Sequence, residues 1–216
     1  MAIEAPSRRR AIEDVASALF HERGYPATSV RDIARALDIR GASLYAHVTS
    51  KEDVLRSIVD RAASTFERAA DAAAAATAQR PPAERLSALV RAHVEAIAAD
   101  PELASVFVSE WRHLSADRKM RILERRDAYE GRFREVIVAG MATGDFGSTD
   151  PGLAATFILT ALNGLATWYR PDGRLTAASP ITTPTSRRGP WRSTDDGPDR
   201  AGPGPDPRGA EPAPVQ

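Results

Sequence analysis

The segment from residue 29 to residue 51 constrains the fold most strongly, because its apolar residues have helical spacing on both sides of a short break. Before the break they recur every three or four residues, which predicts one face of a short helix rather than a strand; they are Val30, Ile33, Ala34 and Leu37. After Asp38-Ile39-Arg40 the pattern resumes with Leu44 and Val48. The sequence therefore predicts two helices joined by a turn of about three or four residues, which is a helix-turn-helix.

Serine and aspartate mark where two of the helices begin. Ser29 is followed three residues later by Asp32, and Ser50 by Asp53. In this capping-box spacing the serine accepts from backbone N–H groups of the first turn, and the acid adds negative charge at the positive helix end. Lys51 would lie in the first turn of the new helix, so a phosphate there would meet a lysine and free helix N–H groups.

The second helix of the pair has an outward face suited to a DNA groove. Arg40 could fork onto the two acceptors of a guanine, and Ser43 could bond to a base or a phosphate. Small residues between them let the backbone approach closely. DNA contact is therefore predicted for Ser29, Arg40, Gly41, Ala42, Ser43, Tyr45, His47 and Lys51.

Three runs of residues around this motif, Phe20–Ala36, Ser43–Val48 and Ser50–Leu55, form a dense pattern over residues 8–56. The pattern resembles the DNA-binding domain of TetR-family transcriptional regulators. Two positions depart from the family: Asp38 stands where glycine is usual in the turn, and Val48 where an aromatic residue is usual. The first departure matters for the turn, because aspartate tolerates positive φ less easily than glycine.

The resemblance extends more weakly through residues 80–175. There the runs Val106–Leu114 and Arg125–Phe133 are similar to family members that regulate fatty-acid or steroid breakdown. The resemblance implies a homodimeric repressor on double-stranded DNA, released from a palindromic operator by a small hydrophobic or acyl-CoA-like effector. It also implies a last amphipathic helix after Trp168–Gly173 that contributes to the dimer.

The rest of the pattern is helical, so the predicted fold class is all-α: an N-terminal three-helix helix-turn-helix domain followed by a helical ligand-binding and dimerisation bundle. Helices are predicted from Arg8 to Arg23, from Lys51 to about Gln79 and, after a proline start, from Pro101 through Leu114. The predicted domains are a flexible arm at 1–7, the DNA-binding domain at 8–56, the helical domain at 57–175 and a disordered Pro-rich tail at 176–216.

A later predicted helix, Leu153–Trp168, is apolar around most of its circumference. A helix with one solvent face would carry a polar stripe, and this one does not. Two interpretations remain open: the helix is central core, or it forms half of a subunit interface.

A helical bundle can hold a small-molecule site between its helices, as an apolar cavity with a few polar groups. The competing interpretation of the aromatic residues is ordinary core packing at helical spacing. Glu110 is harder to explain in that way, because a carboxylate beside a buried stripe needs a partner. The sequence predicts ligand contact by His93, Phe107, Glu110, Trp111 and Tyr129.

The charge balance excludes functions that depend on bulk charge. The chain has 29 Lys and Arg residues against 29 Asp and Glu residues, so DNA contact must come from a local patch. Cysteine is absent, which excludes disulfides and thiolate metal sites. No apolar run approaches the ~20 residues that cross a bilayer, so a cytoplasmic protein without membrane contact is expected.

Motifs for catalysis are missing from the sequence. There is no phosphate-cradling glycine loop, no nucleophile elbow and no His-Glu-x-x-His, and the four histidines lack metal-ligand spacing. We therefore expect no enzyme activity, no cofactor and no metal site.

The composition changes near the C-terminus, where residues 180–216 hold 9 of the 16 prolines and few large apolar residues. Such a segment cannot bury a core and is expected to be disordered. Because back-translation from Pro180 permits a helical sequence in another frame, a frameshift is one hypothesis, which resequencing of the coding DNA would test. If the last helix is absent, the alternative function is a helical small-molecule or protein-binding module that has lost operator binding.

Overall fold

The computed structural model describes residues 7–168, and within that range every regular element is helical. The all-α fold is thus confirmed. Most of the predicted arm, and the predicted tail with its frameshift hypothesis, lie outside the described residues. The helices are α1 Arg8–Arg23, α2 Val30–Ala36, α3 Gly41–Tyr45, α4 Lys51–Ala76, α5 Pro82–Ala99, α6 Pro101–Ser109, a 3-10 helix Glu110–His113, α7 Ala116–Thr143 and α8 Pro151–Trp168.

Local chemistry sets the limits of the first helices. The Ser29 hydroxyl accepts from the Asp32 backbone N–H at 3.2 Å, and the Asp32 carboxylate accepts from the Ser29 N–H at 2.9 Å, which completes the capping box. Helix α1 ends before Gly24, whose φ is 81°. Asp38 has φ 52°, and no other non-glycine residue in 7–168 has a positive φ. The turn therefore has a residue in the left-handed conformation at position 38, and that residue is aspartate where glycine is usual.

The first three helices share one small core. Ile12 and Phe20 of α1, Ile33 of α2 and Leu44 of α3 are almost fully buried. Helix α4 closes this core from its own N-terminal turns, and Val54 and Leu55 are fully buried there. Because α4 has 26 residues, it extends about 39 Å. It passes from the helix-turn-helix into the bundle, where it contacts α5, α6 and α7.

One predicted helix is interrupted. The sequence predicts one helix from Pro101 through Leu114, but α6 ends at Ser109 and a 3-10 helix follows over Glu110–His113. A 3-10 turn is tighter than an α-turn and redirects the side chains that follow. Here it turns the Glu110 carboxylate onto a backbone N–H of the N-terminal helices, a long-range contact that overrides the local periodicity.

Helix α8 is not central core. Leu153 and Phe157 are 68% and 74% exposed, and Trp168 is 54% exposed. Only its other face, through Ala155, Leu159 and Ala166, is buried. The core placement is therefore wrong, and the interface remains a prediction. Within 7–168 no helix has the length and apolarity needed to cross a membrane.

The turn after α7 gives a test of packing. A Cβ added at Gly140 would collide with the ring of Phe146, whereas one added at Gly131 meets nothing closer than 3.7 Å. We expect Gly140→Ala to lower the free energy of unfolding by about 1–3 kcal/mol, because the ring must move. Gly131→Ala should raise it by roughly 0.5–1 kcal/mol. Urea unfolding of both variants measures this, and equal effects would contradict the proposed packing.

Candidate functional site

Helix α3 presents its predicted outward residues to solvent. Tyr45 is 57% exposed, and Gly41 is half-buried at the start of the helix. Leu44 and Val48 turn inward and are buried. The remaining predicted contacts on this segment are exposed as well: Arg40, Ala42, Ser43 and His47. Apart from half-buried Gly41, these residues therefore lie on the accessible surface, and their contact with DNA stays a prediction.

Ser29 and Lys51 border that surface, and both also hold the fold. Ser29 is exposed but caps α2. The Lys51 ammonium donates to the carbonyl oxygens of Tyr25 and Thr28, each at 2.8 Å, and lies 4.1 Å from the centre of the Tyr25 ring. Partial burial lowers the pKa of Lys51. Two of its three N–H groups are thereby used, which leaves one for the predicted phosphate contact.

An arginine that the sequence analysis did not select connects α1 to the start of α4. Arg9 donates to the His47 carbonyl at 3.1 Å, to Asp53 at 3.3 Å and to Ser57 at 2.6 Å. Burial acts to raise the pKa of Asp53, but hydrogen bonds from Arg56 and the Thr49 N–H and the charge of Arg9 lower it overall. The network fixes the end of α3 against α4. In the sequence, Arg9 is distinguished only as the middle residue of the basic run Arg8-Arg9-Arg10.

Glu110 lies at the junction of the two parts. Its carboxylate accepts from the Tyr25 backbone N–H at 3.0 Å and lies 3.5 Å from Nε2 of His113. The His113 ring stacks on Tyr25, with centroids 5.3 Å apart. The partner that this carboxylate requires is therefore the Tyr25 N–H, in the connection between α1 and α2. The 3-10 turn directs the Glu110 carboxylate there, and ligand contact by Glu110 stays a prediction.

A cavity of about 210 Å³ lies among α4, α5, α6, α7 and α8. Three of the five predicted ligand residues line it, namely His93, Phe107 and Tyr129. Trp111 does not line it, and its ligand contact stays a prediction. Its ring lies against the guanidinium groups of Arg112 and Arg126, each 5.3 Å from the ring centre. Because α6 ends at Ser109, Trp111 does not continue the helix face on which Phe107 lies.

His93 is the buried polar group of this cavity, with 3% of its surface exposed. Its Nδ1 lies 3.0 Å from the Tyr129 hydroxyl, while Nε2 has no hydrogen-bond partner among residues 7–168. Burial lowers the pKa of His93 to about 4, partly offset by the nearby Asn163 side chain, which does not reach hydrogen-bond geometry. His93 is therefore a neutral imidazole at physiological pH.

The Tyr129 hydroxyl decides which imidazole nitrogen carries the proton. Burial raises the pKa of Tyr129, so the hydroxyl keeps its proton. Within the described chain its only hydrogen-bond partner is His93 Nδ1. If the hydroxyl donates, Nδ1 is the acceptor and Nε2 carries the imidazole hydrogen; if Nδ1–H donates to the hydroxyl oxygen, Nε2 is an acceptor.

Two consecutive arginines, also not selected from the sequence, line the same cavity. Arg125 pairs with both carboxylate oxygens of Glu67 at 2.7 and 2.8 Å. Arg126 is half-buried, its guanidinium lies 5.1 Å from the centre of the Phe107 ring, and no carboxylate within residues 7–168 pairs with it. Arg125 and Arg126 precede Tyr129 by four and three residues, a spacing that places them near Tyr129 on α7. This spacing is the sequence signal that could have identified them.

Both parts of the chain match known families. Residues 12–58 match the profile of bacterial regulatory proteins of the tetR family, and residues 79–180 match a tetracyclin repressor-like C-terminal domain. The repressor KstR2 of Rhodococcus jostii (strain RHA1) is 35% identical over 178 residues, which cover 78% of this chain and 83% of that protein.

This chain belongs to the TetR family.

Solved structures agree with this assignment. KstR2 of Mycobacterium tuberculosis, described as a ketosteroid transcriptional regulator, superposes with a TM-score of 0.68 at 32% identity over 82% of this chain and 90% of that one. AibR in complex with isovaleryl coenzyme A and operator DNA gives 0.72 at 28% identity, over 79% and 92%. These relatives are transcriptional regulators and not enzymes. The TetR-family chain described here is a repressor of the same general type.

Lys51 provides a test of the junction. We expect Lys51→Met to lower the free energy of unfolding by about 1–3 kcal/mol, because the carbonyls of Tyr25 and Thr28 lose a charged donor. Lys119→Met is the matched control, since the side chain of Lys119 has no hydrogen bond or ion pair within residues 7–168. Chemical denaturation compares the two, and equal stabilities would refute the structural role of Lys51.

His93 makes stability depend on pH in a stated direction. Because its folded pKa of about 4 lies below the ordinary 6.5, its contribution is complete above pH 6.5 and is lost as pH falls toward 4. The loss is about 3 kcal/mol. His93→Phe should flatten that part of the curve, whereas the exposed His21→Gln should not. Denaturant titrations from pH 7 to 4 measure this, and parallel curves would exclude a buried neutral imidazole.

Proposed function

We propose that this protein is a cytoplasmic homodimeric repressor that binds a palindromic operator and is released from it by a small hydrophobic or acyl-CoA-type ligand. The observation that carries the proposal is the exposed face of α3, held by the same helix, α4, that lines the internal cavity. One element thus belongs to both candidate sites.

The DNA-reading role rests on side-chain chemistry at α3. Arg40 is exposed immediately before the helix and makes no side-chain hydrogen bond or ion pair within residues 7–168. Its guanidinium can fork onto guanine O6 and N7. Tyr45 and Ser43 are free to contact a base or a phosphate from the same face. Ser29, Gly41, Ala42, His47 and Lys51 complete the proposed contact surface.

The homodimer is proposed from the uncovered side of α8. Leu153 and Phe157 are one turn apart and strongly exposed, and α7 adds the exposed Val138. A second copy covering this face would bury them around a two-fold axis. Two α3 helices related by that axis would enter successive major grooves about 34 Å apart, which matches a palindromic operator.

The ligand class is proposed from the relatives and from the size of the cavity. AibR was crystallised with isovaleryl coenzyme A, and KstR2 is named as a ketosteroid regulator. At about 210 Å³, the cavity is smaller than the roughly 300–1,000 Å³ sites that enclose drug-sized ligands. It suits an acyl or ring body held by His93, Phe107 and Tyr129, with any coenzyme A portion outside.

The proposed release works through the junction. A ligand between α4 and α7 would press on Phe107, near the end of α6, where the 3-10 helix begins. Glu110 of that 3-10 helix holds the Tyr25 N–H. We propose that the ligand favours a conformation in which this contact shifts and α3 moves with α1. Operator affinity then falls by a factor set by how much more tightly the ligand binds that conformation than the other.

The alternative, a helical binding module without operator binding, would follow from loss of the dimer. It has less support, since relatives covered over 83% and 86% of their lengths are repressors and α3 keeps its exposed face. The oligomeric state in solution distinguishes the two functions. A monomer that does not bind DNA would support the helical binding module.

Selection of bound fragments from random DNA tests the proposal directly. We expect a palindrome with half-sites one helical turn or a multiple apart. In gel shifts Arg40→Ala should reduce discrimination at one base pair by about 1–3 kcal/mol, and Tyr45→Ala should weaken binding. Arg121→Ala removes an exposed arginine on α7 and should leave binding unchanged. Fragments without a shared motif would defeat the operator hypothesis.

A further inference from the structure

Arg126 is a cation without a counter-ion in the wall of the cavity. Its guanidinium lies 5.1 Å from the Phe107 ring centre and 5.3 Å from that of Trp111, and its one hydrogen bond, to the Phe107 carbonyl, is long at 3.5 Å. Burial lowers the pKa of Arg126, and the charge of Arg112 lowers it further. Arginines removed from water usually have a carboxylate partner, and no carboxylate in residues 7–168 takes that role.

The acidic side chains near the cavity are engaged or solvated. Glu67 is held by both nitrogens of Arg125. Glu130 accepts from the Thr156 hydroxyl at 3.2 Å and lies 4.0 Å from Arg134, and Asp127 is exposed. None of them comes within ion-pairing distance of Arg126, so the positive charge at the inner wall is uncompensated in the described chain.

A second, independent group also lacks a partner there. His93 is 3% exposed, and its Nε2 has no hydrogen-bond partner in residues 7–168. The Asn163 side chain lies near His93 but outside hydrogen-bond geometry. A buried polar nitrogen without a partner costs about 1–3 kcal/mol, which a polar atom of a ligand would recover.

We propose that the cavity selects an anionic ligand: an apolar body with a hydrogen-bonding polar atom at His93 Nε2 and a negatively charged group at Arg126. The inference rests on the proposed function only in treating this cavity as the effector site. Two sources could supply the charge, a carboxylate on the enclosed body or a phosphate of a coenzyme A thioester. Both present acceptor-only oxygens that a guanidinium binds through paired N–H groups.

Calorimetry on the full chain, without DNA, tests this with matched probes. The acids are octanoate, cyclohexanepropionate and 1-adamantaneacetate, each compared with its primary alcohol and its coenzyme A thioester. We expect at least one acid or thioester to bind, and each binder to weaken about tenfold or more in Arg126→Met. Arg126→Lys should retain part of the affinity, and Arg121→Met all of it. Dependence of the acids on Arg126 identifies a carboxylate, and dependence of the thioesters alone a phosphate.

Thermal unfolding of the ligand-free variants gives a second readout. Arg126→Met should not lower the midpoint, because it breaks no ion pair and removes a half-buried charge. A purely structural Arg126, stabilising the fold through its two aromatic contacts, predicts a lower midpoint instead. The proposal is overturned if the midpoint falls, if no acid or thioester binds, if the alcohols bind as tightly as the acids, or if Arg126→Met leaves every affinity unchanged.

Failure here is distinguishable from failure of the proposed function. If an acid binds through Arg126 but does not release operator DNA in a gel shift, the release step is wrong and the anion site stands. If an uncharged ligand releases the operator equally from the wild type and from Arg126→Met, the regulator stands and the anion site is wrong.

Discussion

The backbone of Tyr25 is the point on which the arrangement of the two parts depends. Its carbonyl accepts from the Lys51 ammonium of α4 at 2.8 Å, and its N–H donates to the Glu110 carboxylate of the 3-10 helix at 3.0 Å. Both polar groups of one peptide residue are thus held by charged side chains, one from each neighbouring element. Hydrogen bonds to charged groups are stronger than neutral ones, so the connection between α1 and α2 cannot shift without breaking one of them.

This junction joins elements that also reach the cavity. Glu110 follows directly after α6, which carries Phe107 on the cavity wall, and Lys51 begins α4, which carries Phe66 beside it. The rings of Phe66 and Phe107 stack with centroids 5.5 Å apart. Packed interiors are close to crystalline density, so a ligand that separates these rings must displace α4 or α6. Either displacement would act at Tyr25, which hydrogen-bonds to Lys51 of α4 and to Glu110 directly after α6.

The features that could be predicted from the sequence are those that short segments determine. The capping box at Ser29 and the inward Leu44 and Val48 follow from neighbours a few residues away. The left-handed φ of Asp38 was left open, because aspartate only tolerates it. The sequence predicts that the Glu110 carboxylate needs a partner, but it does not indicate that this partner is a backbone N–H 85 positions away. The free position of Arg126 is equally non-local. Nothing local distinguishes an arginine with a partner on another helix from one without.

Arg125 and Arg126 show why the partners of a side chain on other helices matter and cannot be predicted from its neighbours in sequence. They are adjacent on α7 and line one cavity, yet Arg125 has a bidentate carboxylate on α4 and Arg126 has two aromatic rings. A stack on aromatic faces satisfies part of the charge and leaves the N–H groups of the fork largely unused. A chain selected only for stability would replace such a residue with an apolar one, since buried unpaired charge is unfavourable. Its presence beside an unpartnered nitrogen of His93 is therefore better explained by a ligand than by the fold.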